Sequence, residues 1–120
     1  MPKKILIVED EKPLSHALEL KLQHEGFATT VAHNGQECLD HVEHDTYDVV
    51  LLDIMMPVMD GFQVLEQLQH KPNRPVTFVL SNLSQREDEA RALELGARKY
   101  FIKSDTPLAI IVEEVKKALA

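Results

Sequence analysis

The chain has 120 residues, 44% apolar and 28% charged, enough for one folded domain with a core and too apolar for a disordered segment. Its net charge of −7, from 20 acids against 13 Lys and Arg, with no basic cluster interleaved with aromatics, argues against direct nucleic-acid binding by this segment. No signal peptide or membrane span is expected, and the single cysteine, Cys38, can form no internal disulfide, which suits a reducing cytoplasm.

In chain order, residues 4–8 (Lys4-Ile5-Leu6-Ile7-Val8) read as a short buried strand that stops at Glu9-Asp10-Glu11. Residues 13–25 read as a helix: Pro13 suits its first turn, and Leu14, Ala17, Leu18 and Leu22 share one face. Gly26 is its expected C-cap, and Leu20 falls off the apolar stripe. Residues 27–32 form a weaker strand, and Asn34-Gly35 turns into a short helix over 36–43, where Cys38 lies on an apolar stripe with Leu39 and Val42. Val49-Val50-Leu51-Leu52 predict a strand buried on both faces, which delivers Asp53 at its C-terminal end. Met56-Pro57 breaks the pattern, and Asp60-Gly61 caps a helix carrying Phe62, Leu65 and Leu68. After the breaker cluster 71–75, residues 76–80 form a fourth strand ending at Ser81-Asn82. Residues 86–95 form a polar helix closed by Gly96, and 99–102 a fifth strand ending at Lys103. Thr106-Pro107 opens a last helix, with Leu108, Ile111, Val112, Val115 and Leu119 as its stripe.

Five strands alternating with five helices imply an α/β domain spanning 1–120: a doubly wound parallel sheet in a flavodoxin-like three-layer sandwich. The strand order is not legible from the pattern. In a parallel sheet the C-terminal strand ends share one edge, so Glu9-Asp10, Asp53, Ser81 and Lys103 can converge there. Three carboxylates in one cleft repel one another unless a cation neutralises them, and an all-oxygen ligand set suits Mg²⁺. A lysine and a hydroxyl across the cleft complete a site for a phosphoryl group, which a carboxylate nucleophile can carry as an acyl phosphate. Singly, each residue has a plainer reading: helix N-terminal acids, a turn aspartate, a capping serine, a solvated lysine. Four strands that each end in the required group make coincidence the weaker account.

On these residues the chain resembles the receiver domain of two-component response regulators along essentially its whole length. The resemblance rests on Glu9-Asp10 after the first strand, Asp53 with Met56-Pro57 and Met59-Asp60-Gly61, Leu80-Ser81, Gly96-Ala97, Tyr100 and Ile102-Lys103. It implies that Asp53 takes a phosphoryl group from a phosphohistidine of a sensor histidine kinase or phosphotransfer protein. Glu9, Asp10, Asp53 and the Met55 carbonyl would hold Mg²⁺, Lys103 would pair with the phosphoryl group, Ser81 would move to bond it, and Tyr100 would follow as a rotameric reporter. Such a chain is a regulatory phosphoacceptor that assists its own phosphorylation and dephosphorylation rather than an enzyme. An output domain or effector and a phosphorylation-dependent homodimer are its further expected partners, and kinases of this family dock on the first helix.

Two positions depart from the family pattern. Asn82 stands where a small Ala or Gly is usual, and Ser104 stands where proline usually follows the lysine, so the cis bond usual there cannot be presumed. The resemblance implies that Met55 and Leu83, two residues beyond Asp53 and Ser81, flank the path of hydrolytic water, with Asn82 adding bulk on the same side.

Other classes fit poorly. A flavodoxin-type phosphate loop would sit where Glu9-Asp10-Glu11 would repel phosphate, no Gly-x-Gly-x-x-Gly exists, and Met55 occupies the place of the second aspartate of a haloacid dehalogenase phosphatase. The remaining alternative is a degenerate receiver acting as a phosphorylation-independent interaction module. The six histidines show no ligand spacing tighter than His41 and His44 and read as solvated surface.

Overall fold

The structure is a computed structural model that describes residues 2–83 and 85–120. Strands β1 (Lys4–Val8), β2 (Ala28–Ala32), β3 (Val49–Asp53), β4 (Val76–Ser81) and β5 (Lys99–Ile102) pair in parallel in the order β2-β1-β3-β4-β5. Helices α1 (Lys12–His24), α2 (Gly35–His44), α3 (Gly61–Gln69), α4 (Arg86–Glu94) and α5 (Leu108–Ala118) connect and follow them. This is the expected doubly wound sandwich.

The continuous apolar runs follow from burial on both faces. Alternate residues Leu6, Val8, Val50, Leu52 and Val79 meet Cys38, Leu65, Leu68 and Ala92 from α2, α3 and α4. The intervening set, Ile5, Ile7, Val49, Leu51 and Phe78, meets Leu18, Leu22, Ile111 and Val115 from α1 and α5. The chain runs from β1 outward to β2, then crosses back to β3 on the other side. That reversal makes the carboxyl ends of β1 and β3 the topological switch point, where this architecture opens a crevice. Glu9, Asp10 and Asp53 stand there.

Element ends differ from the sequence reading by a residue or two. α1 starts at Lys12 and stops at His24, and Gly26 lies one place beyond its cap, at φ +92°, the left-handed conformation that ends helices. Phe27 precedes β2, Leu95 caps α4 from outside, and Pro107 caps α5 rather than lying within it. Cys38 is fully buried beside Leu39 and Val42, as expected. Ser15 was not foreseen as buried in α1; its Oγ donates to the Lys12 carbonyl at 3.1 Å and so satisfies itself locally. The chain leaves β5 through a 3-10 turn, Lys103–Asp105, and no peptide bond among the described residues is cis.

Candidate functional site

β3 is buried along its whole length, so its last residue, Asp53, leaves the sheet only 4% exposed. The loop that follows is held against it. The Gly61 amide donates to the Ile54 carbonyl at 2.8 Å, and a Cβ at Gly61 would lie 2.5 Å from the Asp53 carbonyl oxygen, so only glycine permits this approach. Asp60 caps α3 through a reciprocal box with Gln63, which fixes where the loop ends. The Met55 amide donates to Asp53 Oδ1 at 3.2 Å, setting the rotation of the carboxylate.

Lys103 reaches into the same crevice with its side chain 10% exposed. Its Nζ lies 2.7 Å from Glu9 Oε1, 3.1 Å from Asp53 Oδ2 and 3.4 Å from Glu11 Oε1. Carboxylate oxygens of Glu9, Asp10 and Asp53 all lie within 4.8 Å of one another, the one potential metal-holding group among the described residues. Asp10 is exposed at the lip, whereas Glu9 is buried.

Burial governs the charges. It pushes the Glu9 carboxyl up to about 7 despite the opposing pull of Lys103, and it raises Asp53 as well, again against Lys103. Burial alone would lower Lys103, but its contacts with Glu9 and Asp53 outweigh this and hold it above its ordinary value. One ammonium therefore does not fully compensate the acids it touches. A small divalent cation with a preference for carboxylate oxygens fits this donor set, and the donors suit Mg²⁺ better than a soft metal.

At the end of β4, Ser81 is fully buried. Its Oγ accepts from the Leu83 amide at 3.1 Å, and the Tyr100 hydroxyl donates to the Leu83 carbonyl at 2.7 Å. Ser81 and Tyr100 thus both hydrogen-bond the backbone of one residue, Leu83, in the β4–α4 loop. Burial also raises the Tyr100 phenol.

The five strand-end residues therefore share one edge, with Glu9, Asp10, Asp53 and Lys103 in one cluster and Ser81 joined to Tyr100 beside it. Met55, 59% exposed, lines a groove with Asp10, Leu83 and Arg91. Asn82 does not share that side: it lines a hollow with Glu11, Lys103 and Ser104, because consecutive residues past a strand end diverge to opposite walls. Sequence reasoning missed Glu11, which follows two acids and carries no motif of its own, and Arg91, whose guanidinium stacks 4.1 Å from the Phe62 ring centroid. No histidine joins the acid cluster: His33 pairs with Glu37, and His44 Nδ1 lies 2.8 Å from the Asp40 carbonyl.

A doubly wound parallel sheet with an acidic, lysine-bridged crevice at its switch point is the architecture of a signal-receiving domain. Residues 5–114 match the family described as the response regulator receiver domain, and the chain belongs to that family. It is 37% identical over 99 residues to the uncharacterized transcriptional regulatory protein YkoG of Bacillus subtilis (strain 168), covering 82% of this chain and 43% of that protein. The chain thus spans less than half the length of this relative. Among solved structures it is similar to a CheY-like receiver domain protein of Methanospirillum hungatei JF-1, with a TM-score of 0.93 and 25% identity over 99% of this chain and 94% of that one. It is also similar to the response regulator TrrA of Thermotoga maritima in complex with Mg²⁺-BeF, with a TM-score of 0.84 and 32% identity over 97% of this chain and 98% of that one.

Proposed function

We propose that Asp53 accepts a phosphoryl group from a phosphohistidine of a sensor histidine kinase or phosphotransfer protein, in a step that needs Mg²⁺. The observation that carries this reading is the buried Asp53 carboxylate with Lys103 Nζ 3.1 Å away and Glu9 and Asp10 beside it. A carboxylate oxygen of Asp53 attacks phosphorus, the P–N bond to the donor imidazole breaks, and the electron pair leaves with that nitrogen. The Lys103 ammonium follows the charge as it moves from the carboxylate to the phosphoryl oxygens. Glu9, Asp10, Asp53 and the Met55 carbonyl would hold Mg²⁺, which would offset charge on the phosphoryl oxygens.

The signal then leaves through Ser81 and Tyr100. Turning Ser81 Oγ toward a phosphoryl oxygen removes the acceptor of the Leu83 amide, and the Leu83 carbonyl is where the Tyr100 hydroxyl is anchored. A charge at Asp53 thereby becomes a packing change near α4. Leu20, 53% exposed, shares a groove with Lys21, His24, Ala109 and Val112 between α1 and α5, which suits the kinase or phosphotransfer protein. An output domain or effector, or a second copy of the chain, would read the altered surface, and the setting would be the cytoplasm.

Intact mass after incubation with Mg²⁺ and phosphoramidate tests the reading. A gain of one phosphoryl group, lost in a folded Asp53→Asn variant, is expected. An unlabelled parent protein, with fluoroberyllate also failing to bind, would leave only a phosphorylation-independent interaction module. Stoichiometric labelling of Asp53→Asn would move the acceptor elsewhere.

A further inference from the structure

Glu11 is the N-cap residue of α1, yet its side chain makes no cap hydrogen bond. Asn34 and Asp60, at the same position of α2 and α3, both turn their side chains onto the helix backbone. Glu11 is instead committed to the crevice twice. Its amide donates to Glu9 Oε2 at 3.0 Å, and its carboxylate lies 3.4 Å from Lys103 Nζ. An ammonium carries three N–H donors, and Lys103 has three carboxylates in reach: Glu9, Asp53 and Glu11. Glu9 and Asp53 belong to the metal-fitting cluster, whereas Glu11 does not. When a cation engages the cluster, Glu11 is the partner that stays free to hold the lysine.

We infer that Glu11 is a positioning residue, whose carboxylate tethers the Lys103 ammonium at the mouth of the crevice; its bearing on phosphoryl transfer rests on the reading of Asp53 as phosphoacceptor. The tether fixes one end of the lysine's travel, so that the ammonium meets the incoming group from the wall formed by Glu11, Asn82 and Ser104.

Three roles for Glu11 are separable by substitution. Glu11→Asp keeps the charge and is a better helix cap, but its reach is shorter by about 1.5 Å, one C–C bond. Glu11→Gln removes the charge and keeps an acceptor at the same reach. With the ¹⁵N-labelled full chain and Mg²⁺, the Lys103 ammonium signal should be sharp in the parent, weakened in Glu11→Gln and lost to solvent exchange in Glu11→Asp. Labelling by phosphoramidate should be roughly fivefold slower in Glu11→Asp, short of the ~100-fold that a fully misplaced group can cost, because Glu9 and Asp53 still contact the ammonium. A Glu11→Asp protein with the parent's ammonium signal and rate overturns the tether. A faster Glu11→Gln beside an unchanged Glu11→Asp also overturns it, in favour of simple repulsion of anionic donors at the lip. Loss of the ammonium signal in Glu11→Asp, in a chain never labelled at Asp53, keeps the tether and sinks the phosphoacceptor reading instead.

Discussion

The two ends of the crevice are held by different forces. At the acid end, Glu9, Asp53 and Lys103 are buried charges in contact. At the hydroxyl end, Ser81 and Tyr100 are joined by neutral hydrogen bonds, each to the backbone of Leu83. Buried charges interact strongly and are costly to leave unpaired, whereas a neutral hydrogen bond contributes about 1 kcal/mol net. A charge added at the first end would therefore be felt strongly, whereas the second end can rearrange at little cost. The support around them matches: β3 is wholly buried, while α4 has Ala92 as its single buried residue.

The largest break in this contrast should come from Lys103→Met. It leaves Glu9 and Asp53 buried beside each other without their cation. Removing one partner of a buried ion pair costs on the order of 3–5 kcal/mol. Urea unfolding at pH 8 without metal should show that loss, and at pH 5, below the value of about 7 to which burial raises Glu9, part of it should disappear. Equal stability of parent and variant at pH 8 would mean that the acid end is solvated rather than buried.

The pH dependence of the parent protein is the next largest effect. The Glu9 carboxyl is raised in the folded state from 4.5 to about 7, so the folded chain binds that proton more tightly than the unfolded chain. Stability without metal therefore falls as pH rises from about 4.5 to about 7, by on the order of 1–3 kcal/mol. Below that window the contribution is fully present. Glu9→Gln should flatten the slope, and saturating Mg²⁺ should reverse it by binding the ionised cluster. Melting temperatures at intervals across this pH range check both statements.

Much of this was legible in the sequence, and the reason is burial. A strand buried on both faces writes an unbroken apolar run, so Val49-Val50-Leu51-Leu52 announced β3 and put Asp53 at its end. The alternation of strands and helices carried the layers in the same way. Strand order was not written, because pairing partners in a parallel sheet leave no local pattern. Glu11 was missed because its role depends on Lys103, 92 residues away, and a side chain that forgoes its cap looks in sequence like one that makes it. Ser104 stands where the resemblance expects proline after the lysine, and whether the bond there is cis was not legible; in the structure it is trans, within a 3-10 turn.

A smaller effect concerns how long the acid end would keep its phosphoryl group. Met55 and Leu83 face one groove with Asp10 and Arg91, and neither can orient a water molecule by hydrogen bonding. Replacing Met55 with Asn and Leu83 with Glu together should speed loss of phosphate about tenfold, ~1.4 kcal/mol of barrier. Release of phosphate from both purified phosphoproteins measures it. A double variant that decays at the parent's rate would place control of that water elsewhere.

The smallest effect should come from the hydroxyl end, through Tyr100→Phe. The ring stays, and only the hydrogen bond from its hydroxyl to the Leu83 carbonyl is lost. The global cost should be about 1 kcal/mol or less, the net contribution of one neutral hydrogen bond. The local consequence is sharper. With one of its two anchors gone, Leu83 still donates to Ser81 Oγ, so the unphosphorylated loop should open more often without unfolding the sheet. Amide exchange at Leu83 should therefore accelerate in Tyr100→Phe while β3 amides keep the parent's protection. Ser81→Ala should do the same by removing the other anchor, and the double variant should exceed either, because each single loss leaves one hydrogen bond to Leu83 in place. Equal protection of Leu83 in all four proteins would mean that the two hydroxyls do not hold the loop, and that the contrast between the ends of the crevice does not extend to its dynamics.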